Sequence, residues 1–132
     1  MKVAFTSSDG KTIDRHFGQA SAYWIWEVGP ERAELLGPVS PLIAEGAVDE
    51  EGRTSARADA VSGCAIVYTQ QIGGPAAAKL VARKIHPMKT GGGEVPIAEA
   101  IAKLQAVLRG NPPPWLRKAM GGEAVPSFSA DE

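Results

Sequence analysis

Short apolar runs separated by polar turns dominate the first third of the chain. Residues 2–7, KVAFTS, enter a Ser-Ser-Asp-Gly turn, and AYWIWEV and AELLGPV read as a second and a third strand about a Gly-Pro turn. Their close spacing predicts an antiparallel meander. Residues 38–57 are rich in Pro, Gly and acidic groups and carry only a weak helical pattern, so they predict a loop leading into a short helix before CAIVYT begins a buried strand. Gly73 and Gly74 then make a tight turn, Pro75 suits the first helical position, and Ala77, Leu80 and Val81 share one face. IHPMKT is a short strand that ends in GGG. Ile97, Ala100, Ile101, Leu104, Val107 and Leu108 recur at spacings of three and four, which predicts an amphipathic helix. Three prolines stop it, NPPPWLRKAM adds a small appendage, and 121–132 read as a flexible C-terminal tail behind a single domain over 1–120.

Strand, helix and strand between residues 65 and 89 require a parallel pair with a right-handed crossover, whereas the first three strands are hairpin-linked. The expected fold is therefore α/β, with a mixed five-stranded sheet flanked by helices. Ligands in such sheets bind beyond the carboxyl ends of the parallel strands. Three loops gather there: SSDGKTIDRHFGQ, QQIGG and TGGG.

Composition narrows the chemistry. Lys and Arg number 14 against 15 Asp and Glu, a formal net charge of −1, so no general attraction to nucleic acid or anionic lipid is expected. There is no apolar run of membrane-spanning length and no secretory leader, so the expected location is the cytoplasm, without membrane partners. One cysteine, Cys64, excludes an internal disulfide and a four-thiolate cage for zinc or an iron–sulfur cluster.

Of the two histidines, His16 lies in the first of the three loops, where a neutral imidazole can ligate a metal, with Asp14 or a backbone carbonyl fixing its tautomer. It also reads as a loop histidine that merely bonds to its neighbours, and spacing alone does not overturn that reading. The glycines of IGGP and TGGG leave backbone N–H groups unshielded before helices, which favours an anion, yet Gly-Gly before Pro is also plain turn chemistry. Lys11, Arg15, Lys84 and Lys89 are candidates for the rim. Cys64 precedes the fourth strand while His16 follows the first; a five-residue strand separates them by roughly 16 Å, so a structural role for the thiol is favoured. His86 lies within a strand, where a satisfied or exposed ring is expected. Asp9, Asp14 and Asp59 can be imagined as a magnesium set for a phosphodiesterase, but Asp9 is explained by its turn and the set is not convincing. Trp24 and Trp26 share one side of a strand and suit packing better than a nucleic-acid platform.

The stretches MKVAFTSSDGKTIDRHFGQA, GCAIVYTQQIGGPAAAKLVARKIHPMKT and NPPPWLRKAM together resemble the NifX/NafY group of nitrogenase cofactor-biosynthesis proteins, in register over roughly residues 1 to 120. The resemblance implies a ribonuclease H-like three-layer fold. It also implies a carrier rather than an enzyme, one that transiently holds the iron–sulfur precursor made by NifB (NifB cofactor) or the finished iron–molybdenum cofactor. A NifB-like donor and a NifEN-like scaffold acceptor are the implied partners. The histidine of RHFG matches a position implicated in cluster binding, so His16 is the expected ligand and Cys64 the less favoured one. The expected cofactor-binding set is then His16, Arg15, Phe17, Gly18, Gly73, Gly74, Gly91 and Gly92. The additional N-terminal domain of NafY-type proteins has no counterpart in this sequence.

Overall fold

A computed structural model describes residues 1–43, 49–91 and 93–121. Five strands, β1 (Lys2–Thr6), β3 (Tyr23–Val28), β4 (Ala33–Val39), β5 (Ile66–Thr69) and β6 (His86–Lys89), form one sheet in the order β4-β3-β1-β5-β6. β1, β3 and β4 are the antiparallel meander that the sequence predicts, with Phe5 opposite Trp24 and Val3 opposite Trp26. β5 runs parallel to β1, and β6 parallel to β5. The sheet is mixed as expected.

Alternation along the strands assigns each residue to a face. Ala4, Tyr23, Ile25 and Val67 pack with Ala58 of α1 (Glu50–Ala60) and Leu80 of α2 (Gly74–Ala82). Val3, Phe5, Val28 and Ile66 pack instead against Ile97, Ala100, Ile101, Leu104 and Leu108 of α3 (Ile97–Arg109) and Leu116 of α4 (Pro114–Gly121). Helices therefore cover both faces, making three layers. Each fully buried Leu or Ile contributes about 1.5–3 kcal/mol, which is how these short helices hold to the sheet. Trp24 and Trp26 do share one side. Trp26 packs on the α3 core, and Trp24 lies under the loop after β1, where a Cβ on Gly10 (φ +78°) would come within 2.9 Å of its ring.

The sequence pattern does not reveal two elements. β2 (Thr12–Ile13) pairs antiparallel with β7 (Val95–Pro96), a ribbon of two residues a side. A 3-10 turn, Phe17–Gln19, follows His16. The appendage after the prolines is the helix α4, which ends at Gly121, and the remainder of the expected tail, 122–132, lies outside the described residues, as does Gly92. Among the described residues no helix is long and apolar enough to cross a membrane.

Candidate functional site

The three predicted loops meet beyond the carboxyl ends of β1, β5 and β6, and hydrogen bonds lace them together in pairs. Gln70 N–H donates to Arg15 O (3.1 Å) and Phe17 N–H donates to Gln71 O (2.9 Å), so both neighbours of His16 are fastened to the loop after β5. Thr90 N–H donates to Thr69 O, and Gln70 Nε2 reaches Gly93 O at 3.2 Å, joining that loop to the one after β6. The β2–β7 ribbon and Ile97 N–H donating to Lys11 O (2.8 Å) close the circuit between the first loop and the third.

Buried hydroxyls fix the floor. Thr6 and Thr69, both fully buried, stand 3.2 Å apart through their Oγ1 atoms. Each hydroxyl carries one proton, and the consistent arrangement has Thr6 donating to Arg15 O at 2.8 Å and Thr69 donating to Gln71 O at 3.1 Å. These are the two carbonyls that clamp the flanks of His16. On the other side Tyr23 Oη donates to Phe17 O (2.8 Å), while the Arg57 guanidinium of α1 donates to Ala20 O (2.6 Å) and to Tyr23 Oη (3.0 Å). Desolvation raises the Tyr23 phenol above its ordinary range, partly offset by Arg57.

His16 emerges from this clamp exposed, and its imidazole has no hydrogen-bond partner among the described residues. Of its two sequence readings, a histidine bonded to neighbours is thus not what the geometry presents. Asp14 does not orient the ring: its two oxygens take Ser8 N–H (2.9 Å) and Ser8 Oγ–H (2.6 Å). Asp9 accepts from Lys11 and Thr12 N–H, and those bonds lower its carboxyl pKa. Asp59 pairs with Arg83 at 2.9 Å. The three carboxylates imagined for magnesium are separately engaged.

Phe17 is fully buried against Tyr23, so its side chain anchors the loop and does not face a ligand. Arg15 and Gly18 are exposed beside His16. Gly73 caps α2 with φ −76°, and a Cβ there would meet only Pro75 Cδ at 4.0 Å; at Gly74 it would meet nothing. Turn geometry therefore requires glycine at neither position. With Pro75 lacking an N–H, the amides of Gly74 and Ala76 begin α2 without intrahelical partners. Gly91 differs, since its φ of +88° needs a glycine. The α3 N-terminus is not the expected anion site: the β7 residues intervene after the glycines, and Ile97 N–H is spent on Lys11 O.

Lys11, Arg15 and Lys89 belong to this end of the sheet, and none has a carboxylate partner among the described residues. Lys84 does not join them. It follows α2 at the amino end of β6 and lines a cavity with Lys2 and Cys64. Cys64 is buried there, two residues before β5 begins, and burial pushes its thiol up to about 11. His86 is also at that end, half-buried and stacked on Trp115 with centroids 4.0 Å apart.

The family model described as dinitrogenase iron-molybdenum cofactor matches residues 1–107. The chain belongs to that family. It is similar to Protein NifX of Rhodobacter capsulatus, at 38% identity over 99% of this chain and 84% of the relative. Protein NifX of Herbaspirillum seropedicae is likewise 38% identical, over 99% of this chain and 90% of the relative. The crystal structure of PH0822 shares the fold, with a TM-score of 0.58 at 18% identity, covering 80% of this chain and 91% of that one. The family model spans the loops that hold His16, Gly73, Gly74 and Gly91.

Proposed function

We propose that this protein is a carrier, not a catalyst, in the biosynthesis of the nitrogenase iron–molybdenum cofactor, taking as cargo the NifB-made iron–sulfur precursor or the finished cofactor. The observation that carries the reading is His16: an exposed imidazole, without a partner among the described residues, whose two neighbouring peptide groups are clamped at 3.1 and 2.9 Å. A preassembled cluster brings its own bridging sulfides, so one terminal ligand suffices if hydrogen-bond donors and cations compensate its negative charge. Arg15, Lys11 and Lys89 supply the cations, and the Gly74 and Ala76 amides the donors, with Gly18, Gly73 and Gly91 leaving the backbone open to close approach. Few ligands also mean easy release, which a carrier needs.

The same reading makes residues 1–120 one cofactor-binding domain with a ribonuclease H-like arrangement, working in the cytoplasm between a NifB-like donor and a NifEN-like acceptor. Family membership and the mixed three-layer sheet support it. Anaerobic titration with the NifB product, followed by absorption and by iron analysis after gel filtration, tests it. Saturation at one cluster per chain is expected. Elution of the protein free of iron overturns the proposal.

A further inference from the structure

The two faces of the sheet are unequally covered. Five strands about 4.8 Å apart span roughly 19 Å, and α1 with α2 covers one face. The other carries α3 and the short α4, and a helix with its side chains is only about 10 Å across. The β6 half of that face is left as a groove of about 480 Å³, floored by Tyr68 and Met88 and walled by Leu104, Val107, Pro113 and Trp115. A second cavity of about 400 Å³ continues past Trp115, which lines both, to Val81 on α2.

Two apolar positions that helical periodicity turns inward are exposed here: Val107 at 41% and Val81 at 61%. Trp115, 39% exposed, lies between the two cavities, its ring stacked on His86. In the wall, Thr90 Oγ1 is buried without a hydrogen-bond partner among the described residues. The rim is basic. Lys89 and Lys103 line the first cavity and Lys84 and Lys118 the second; among the described residues no Asp or Glu lines either. Glu99 answers Lys103 at 3.3 Å, and Lys84, Lys89 and Lys118 have no carboxylate partner among the described residues. For a chain of net charge −1 this is a local concentration of one sign around an apolar floor.

We propose that this groove is a docking surface for an acidic, amphipathic segment of a partner protein, whose apolar residues seat on Tyr68, Met88 and Trp115 while its carboxylates meet Lys84, Lys89 and Lys118. Exposed aromatics ringed by charge are the usual anchors of such contacts, and the rim charges set the rate of encounter and the choice of partner. Lys89 ends β6 beside the His16 loops and also lines the groove, so a partner docked here borders the cluster site and shares Lys89 with it.

Fluorescence anisotropy with a labelled amphipathic peptide of Leu, Ala and Glu, against its Leu, Ala and Lys counterpart, tests this on the full chain. The acidic peptide is expected to bind and the basic one not. Trp115→Ala should weaken binding by about tenfold. Because that change also removes the His86 stack, the surface pair Lys89→Glu with Lys118→Glu serves as a second variant, expected to lose binding and its salt dependence. His16→Ala should bind the peptide like the parent, which separates this surface from the cluster site. Equal binding of both peptides, no binding of either, or parent-like binding by both groove variants overturns the proposal. So does concentration-dependent self-association that Trp115→Ala abolishes, which puts a second copy in the groove. Markedly tighter peptide binding by a chain ending at Gly121 also overturns it, assigning the groove to the C-terminal residues.

Discussion

His16 and Cys64 stand at opposite ends of β5. The peptide groups on either side of His16 bond to Gln70 and Gln71, immediately beyond the carboxyl end of the strand, while Cys64 is buried two residues before its amino end. Softness would choose the thiolate as an iron ligand, but burial raises this thiol to about 11 and the loops that hold Gly73, Gly74 and Gly91 lie at the other end of the sheet. His16→Ala should therefore weaken cluster binding by about tenfold or more and leave the thermal midpoint near that of the parent. Cys64→Ala should lose about 1 kcal/mol of packing and keep its cluster affinity. Midpoints and anaerobic affinities of both variants check this, and loss of the cluster in Cys64→Ala alone would move the site to the other end of the sheet.

Gly73 and Gly91 separate a glycine that the backbone does not require from one that it does. Gly73→Ala meets only Pro75 Cδ, at an ordinary contact distance of 4.0 Å and an ordinary φ, so the gain through the unfolded chain and the poorer N-cap should offset and stability should change by about 0.5 kcal/mol or less. If the cluster approaches this backbone closely, the added methyl should still lower affinity severalfold. Gly91→Ala must hold φ near +88° and should cost about 1–2 kcal/mol. Urea denaturation and cluster titration of the two variants give four numbers. Unchanged cluster affinity in Gly73→Ala would remove the α2 terminus from the site.

The strands, α2 and α3 were legible because burial imposes a period on their residues, and the meeting of three loops followed from counting which strands run parallel. What escaped has no period. The β2–β7 ribbon is two residues a side and joins positions more than eighty apart. Asp14 reads as a partner for His16 because it is near in sequence, yet its carboxylate closes the turn onto Ser8. Lys84 belongs to the same helix–strand unit as the glycine loop but follows the helix, so it emerges at the far end. Phe17 in RHFG looks like part of a binding motif and is an anchor. Val81 and Val107 have the pattern of core residues because sequence does not say how wide a sheet its helices must cover.

Arg57 lies on a helix that the sequence patterns only weakly, and it holds the turn after His16 through Ala20 O and Tyr23 Oη. Charge-assisted bonds of this kind, part-buried, make Arg57→Ala cost about 2 kcal/mol. The 3-10 turn should then loosen, seen as faster amide exchange across Phe17–Ala20 and weaker cluster binding with His16 intact. Arg57→Lys, which lacks the planar fork, should restore stability only in part. Parent-like exchange in Arg57→Ala would leave the clamp to Tyr23 alone.

Burial of Cys64 gives a pH test in which the sign is fixed. The thiol titrates at about 11 in the folded chain against an ordinary value of 9.0, so the native state holds its proton more tightly. Its contribution is fully present below pH 9 and is lost as pH rises from 9 to about 11, because the unfolded chain releases the proton first. Two units correspond to about 2–3 kcal/mol at most. Tyr23 and Tyr68, also raised by burial, add to alkaline destabilisation in parent and variant alike. Comparing Cys64→Ala with the parent in urea at pH 8 and near pH 10.5 isolates the thiol. The parent should lose more stability between the two than the variant does, and its reaction with iodoacetamide at pH 8 should be slow in the folded state; equal losses would mean that the thiol is solvated.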